Sequence, residues 1–277
     1  MYLDNNDGCR MKRSIRYLFI GIIILIVFFS FHFFKQPNNW TWEMLNLTNK
    51  DSKNFNTKVA ILDTGINNER INNEFVTKKY DAINKRNQIT TNSNHATQIA
   101  SIITYGKHKE KLIGISKTVS IYDVKVLDDE LGGETDSIVN GINWSIKNDV
   151  DIINMSFGFQ RYNKELHDVI KKAKKQGIIL VGAAGNNMDD YSDYPARFNE
   201  VYSITAIDKN NEPFIYAPTK KVDFKAPGVE VYTLDSKDEF TTVNGTSFAA
   251  AYFTSYLTTK LDSKNNLSHV LKKYPIN

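Results

Sequence analysis

The sequence predicts an α/β fold of three layers: a mostly parallel, buried sheet with helices on both faces, preceded by one transmembrane helix. Three observations predict it. From Lys58 onward, short apolar runs alternate with stretches of helical periodicity, the order of strands joined by crossover helices. The apolar runs lack polar alternation, as strands covered on both sides do. The segment Tyr17–Phe34 is almost purely apolar and has no polar face. Composition agrees: 41% hydrophobic and 24% charged residues exclude a disordered or fibrous chain. The net charge of +4 is dispersed, so no basic stripe points to nucleic acid. The single cysteine, Cys9, excludes an intrachain disulfide framework and any site needing several cysteines.

Residues 1–16 are read as a cytoplasmic N-terminus, because Lys12, Arg13 and Arg16 precede the apolar run and basic flanks stay inside. Met11 is an alternative start. Residues 17–34 would span roughly 27 Å as a helix, about the thickness of a hydrocarbon core. The run closes on Phe31, His32, Phe33, Phe34 and Lys35, with no small-residue cleavage site. An uncleaved signal anchor is therefore expected, with the rest of the chain outside the cytoplasm on a single-pass cell-membrane protein. Residues 35–57 form a tether and the start of the domain. Trp40, Trp42, Met44, Leu45 and Leu47 there either pack on the domain or lie at the bilayer surface. Residues 58–277 read as one domain without internal repeats. Val59–Asp63 is a buried strand, and Ser120–Leu127 another. Ile138, Val139, Ile142 and Ile146 recur at helical spacing, followed by a strand at Asp151–Met155. Leu166, Val169, Ile170 and Ala173 mark a helix that Gly177 ends, before a strand at Ile178–Ala184. Closely spaced strands follow at 201–207, 221–226, 229–234 and 240–243, and a helix starts at Ser247.

In open α/β sheets, ligands sit beyond the carboxyl ends of strands. Asp63, Ser156 and Asn186 follow strands, and Ser247 opens a helix. Each alone has a plain structural reading: Asp63 in a turn, Ser247 as an N-cap, His95 on the surface, Asn186 as a turn residue. Together, a strand-end Asp, a His and a helix-start Ser, in that chain order, suit a nucleophile, a base and a group that orients the base. The segments Val59–Ile66, His95–Ala100 and Asn244–Ala250 resemble the aspartate, histidine and serine motifs of the subtilases, the subtilisin-like serine peptidases of family S8. Further segments at 124–146, 151–158, 183–187, 194–198 and 222–234 resemble the same family in the same order. The resemblance covers Lys58 to Leu261, and the anchor makes it resemble a membrane-anchored bacterial type.

The resemblance implies a subtilisin-like fold and a serine endopeptidase with Asp63, His95 and Ser247 as its triad. It implies Asn186 as a side-chain donor to the oxyanion. It implies a peptide groove along Gly132–Gly133 and Ser156–Phe157–Gly158. Asp193, just before Tyr194-Pro195, falls near the floor of the pocket for the side chain preceding the cut. A carboxylate there would select Arg or Lys; the alternative is a solvated loop acid beside Asp189 and Asp190. The motifs depart from the family at Ala96, Gln98 and Ala251, which leaves a catalytically impaired, peptide-binding relative as the alternative function. Only residues 35–57 separate anchor and first strand, so no large folding propeptide is expected. Many subtilases hold calcium in a loop after the histidine helix. Here that loop, Gly106 to Lys111, has three lysines and one carboxylate, which suits a hard dication poorly. No cofactor or metal is expected, and the partners are a peptide or protein substrate and the membrane, with no nucleic acid.

Overall fold

Seven parallel strands make the central sheet of the computed structural model, which describes residues 40–45, 56–108 and 111–261. They are β1 (Thr57–Asp63), β2 (Val76–Asp81), β5 (Val119–Lys125), β6 (Ile152–Met155), β7 (Ile179–Ala183), β8 (Tyr202–Ile207) and β9 (Phe224–Pro227). Their spatial order is β2-β5-β1-β6-β7-β8-β9. Side chains alternate across each strand, and in the central strands both sets are largely apolar. Val59 and Ile61 enter one core, with Ile121, Ile152 and Val181. Ala60 and Leu62 enter the other, with Val124, Ile153 and Leu180. That double burial explains the unbroken apolar runs.

Each core is closed by its own helices. Helices α3 (His95–Ile103) and α6 (Thr246–Lys260) cover the first, and α4 (Thr135–Lys147) and α5 (Lys164–Lys175) the second. All of α6 is buried. Its hydroxyls still find acceptors: Thr254 donates to Asn154 Oδ1 at 2.9 Å and Ser255 to the Ile102 carbonyl at 3.1 Å. Gly177, at φ +80°, stands just past α5, as expected. A short helix α1 (Trp40–Met44) packs Trp42 into the first core, its indole N–H donating to the Ile113 carbonyl at 3.4 Å. Trp42 and Leu45 therefore belong to the domain and not to a bilayer surface.

Several elements differ from the sequence reading. The strand expected to Leu127 ends at Lys125, where the chain turns so that the Val126 and Leu127 amides both reach the Asp63 carbonyl. The last helix begins at Thr246 and not Ser247. The segment 221–226 contributes a strand only from Phe224. Strands β10 (Val231–Leu234) and β11 (Phe240–Val243) form a separate antiparallel pair. Helix α2 (Glu69–Glu74), edge strand β2 and the hairpin of β3 (Gly106–His108) and β4 (Lys111–Gly114) were not anticipated. Among the described residues no helix is long and apolar enough to cross a membrane; the run 17–34 lies outside them.

Candidate active site

The parallel sheet aims the carboxyl ends of β5, β1, β6 and β7 at one edge. There the four strands present, in order, the loop with Gly132 and Gly133, Asp63, Ser156–Gly158, and Asn186. Asp63 is the last residue of β1 and fully buried. The Thr64 amide donates to its Oδ1 at 2.7 Å. His95, the first residue of α3, brings Nδ1 within 2.9 and 3.0 Å of the two Asp63 oxygens. A carboxylate accepts only, so Nδ1 carries the proton and Nε2 is left as the free base. Burial pushes the His95 pKa down, but the charge and hydrogen bond of Asp63 outweigh it, and the net shift is upward from 6.5.

Ser247 stands in the first turn of α6, where helical amides have no carbonyl partner of their own. The Phe248 ring lies 5.7 Å from the His95 ring, which brings the two motifs together. The Ser247 hydroxyl donates to the Ser156 carbonyl at 2.9 Å, and Ser156 Oγ returns a bond to the Ser247 carbonyl at 3.1 Å. No described hydrogen bond joins Ser247 to His95. Asn186 is exposed on the turn after β7, and its Oδ1 accepts the Thr246 amide at 3.0 Å. That bond fixes the carboxamide beside Ser247 with its N–H₂ as the free donor.

Asp193 is 6% exposed, unlike its exposed neighbours Asp189 and Asp190. Its carboxylate lies between Gly158 and Gly185, where a Cβ on either would come within 2.6 Å of Asp193 Cβ or 2.5 Å of its Oδ2. Gly185 also has φ +117°, so the narrow slot needs glycine on both walls. Asn187 Nδ2 donates to both Asp193 oxygens, at 3.1 and 3.3 Å. Burial nevertheless dominates and raises the Asp193 pKa. Phe157 is buried and Gly158 exposed on the wall of this slot. Gly132 closes a tight loop with Asp128, accepting the Asp128 amide at 2.8 Å and donating to its Oδ1 at 2.7 Å.

The sequence profile of the subtilase family, peptidase S8, matches residues 54–272. The chain belongs to the subtilase family. Subtilases are serine endopeptidases, hydrolases of peptide bonds. This subtilase is 32% identical to subtilisin DY of Bacillus licheniformis over 205 residues, 72% of this chain and 74% of that one. It is 31% identical over 235 residues to the major intracellular serine protease of Bacillus subtilis, 80% of this chain and 71% of that one. Against the minor extracellular protease Epr of Bacillus subtilis it is 33% identical over 199 residues, and the match spans only 30% of that longer protein. The solved structure of Sphericase shares the fold at a TM-score of 0.70 and 20% identity, covering 81% of this chain and 83% of its own.

The two ends of the segment Gly106 to Lys111 lie on β3 and β4. A Cβ on Gly106 would lie 3.2 Å from Arg70 Nη2, a buried nitrogen with no hydrogen-bond partner. The guanidinium adds a further positive charge beside the lysines of the segment. Sequence reasoning passed over two charged residues at the site. Asp123 is fully buried on β5 and accepts the Ile66 amide at 3.1 and 3.3 Å. Burial, with the charge of Asp63 adding to it, outweighs the Ile66 bond and the charges of Lys79 and Lys125, and the Asp123 pKa rises to about 7. Lys125, two residues on, is also buried. The signal was available: two charges two apart in an otherwise apolar strand, hence on one face.

Proposed function

We propose that this chain is a membrane-anchored serine endopeptidase that cuts exported peptides or proteins after Arg or Lys. The observation that carries it is the pairing of His95 Nδ1 with both oxygens of the strand-end Asp63, beside a helix that starts at Ser247. The hydroxyl of Ser247 attacks the scissile carbonyl while His95 Nε2 takes its proton. Asp63 holds the ring and stabilises the imidazolium, which then protonates the departing amine. The oxyanion is met by the Asn186 carboxamide and by amides of the first turn of α6. Gly132–Gly133 and Ser156–Gly158 offer backbone to an extended substrate on either side of β1. Asp193 meets the guanidinium or ammonium of the residue before the cut. The reaction needs no cofactor and no metal. The apolar run 17–34 anchors the chain in the cell membrane, and the domain works outside the cytoplasm.

One observation favours the impaired relative: Ser247 Oγ is turned toward Ser156 and must rotate about its Cα–Cβ bond to reach His95. A fluorophosphonate probe decides. Labelling and peptide hydrolysis that both vanish in Ser247→Ala support the peptidase. Hydrolysis that survives the substitution, or a wild type that binds peptide but neither labels nor cuts, rejects it.

A further inference from the structure

Two loops far apart in sequence meet beside the Asp63–His95 pair, and a buried cation joins them. Lys125 ends β5 in register with Asp63 on β1 and is 6% exposed. Its ammonium donates to the Thr64 carbonyl at 3.0 Å and to Asp129 Oδ1 at 2.9 Å. Asp129 in turn accepts the Thr91 hydroxyl at 2.8 Å and the Asn92 amide at 2.9 Å. The Asn92 amide first, then Lys125 and Thr91, hold the Asp129 carboxyl down at about 2. The loop so held leads straight into α3, with the His95 amide donating to Ser93 Oγ at 3.3 Å. One side of the brace is the turn that follows Asp63; the other is the approach to His95. Neither Lys125 nor Asp129 is hydrogen-bonded to His95 or Ser247.

We propose that Lys125, acting through Asp129, is a positioning residue for catalysis: it sets the distance and angle at which the His95 ring meets Asp63. The inference rests on the triad reading above. An ammonium suits the place because it donates in two directions from a narrow, strand-flanked site, whereas a planar guanidinium would need more room. The charged groups around the brace are Asp129 from the loop after β5, Asp123 from β5, Asp63 from β1 and Lys79 from β2. The charge acting on His95 is that of Asp63. A loosened brace weakens that contact, so the pKa of His95 falls and the acid limb of the activity profile moves to lower pH.

The test uses the full-length chain with Lys125→Met, Asp129→Asn and the double variant. Fluorophosphonate labelling of the wild type, lost in Ser247→Ala, serves as the control on the triad reading itself. Each single variant should lower kcat between about tenfold and a hundredfold with KM within about twofold. Each should also move the acid limb of kcat/KM downward in pH. The double variant should be no slower than the worse single one, because both remove one brace. Unchanged kcat and an unmoved limb in both singles would overturn the proposal, whatever the thermal midpoint does. Should Lys125→Met fail to fold, Asp129→Asn carries the test alone, since its side chain is 30% exposed. A wild type that neither labels nor hydrolyses defeats the triad reading instead.

Discussion

Asp123 is the residue whose ionisation costs the fold most visibly. An acid with a raised folded pKa holds its proton longer folded than unfolded. Its penalty is absent below 3.8, grows as pH rises, and is complete above about 7. Asparagine at 123 can still accept the Ile66 amide but has no charge to bury. Asp123→Asn should therefore gain stability relative to wild type as pH is raised from about 4 to about 8, read by urea unfolding. A difference that stays constant over that range would assign the titration to another group. Asp193 tests specificity at the same scale. Its carboxylate is packed between Gly158 and Gly185, and burial leaves it short of charge compensation. Matched substrates with Arg or Leu before the cut should differ by about a hundredfold or more in kcat/KM, and Asp193→Ser should erase most of that difference. Equal rates on both substrates in the wild type would remove Asp193 from the pocket. Asp63, His95 and Ser247 stand out in the sequence because the proposed bond-breaking chemistry restricts residue types so tightly, and of the three the structure pairs His95 with Asp63. Lys125 and Asp129 could not, since their importance lies in which loops they join.

Elements were readable in proportion to how completely they are buried. Strands β1, β6 and β7 present apolar side chains to two cores, and their runs stand out. Strand β2 lies at the sheet edge with exposed Thr77 and Lys78, so Val76–Asp81 carries no strand pattern. Helix α2 has six residues and one buried position, Ile71, too little for a period to show. It is defined by its cap, Asn68 Oδ1 accepting the Ile71 amide at 2.9 Å, a feature no periodicity reveals. Helix α6 is the opposite case, buried on every side and dotted with hydroxyls that look like surface residues in sequence. Its stability rests on packing across the sheet. Phe253 is fully buried and stacks on Phe224 at 4.9 Å. Phe253→Ala should cost about 3–5 kcal/mol in denaturant unfolding, because α6 is buried along its whole length and the cavity has little freedom to collapse. A loss below about 1 kcal/mol would mean that the site relaxes and that α6 is less rigidly seated than its contacts imply.

At the scale of the whole molecule, the proposed anchor raises the question of which side of a membrane would hold the candidate site. The argument is electrostatic and belongs to the N-terminus alone. Lys12, Arg13 and Arg16 flank the start of the apolar run, and cytoplasmic retention of basic flanks would send everything after Phe34 outward. Single reporter cysteines can decide the matter. In a Cys9→Ser background, Ser14→Cys marks the N-terminal side, and Ile215→Cys, at a residue 73% exposed on the domain, marks the other. A membrane-impermeant maleimide added to intact cells should label the cysteine at 215 at once and the one at 14 only after lysis. The reverse pattern would place the domain in the cytoplasm, and its substrates would then be internal peptides. Labelling of both sites in intact cells would show that the run 17–34 does not span the membrane.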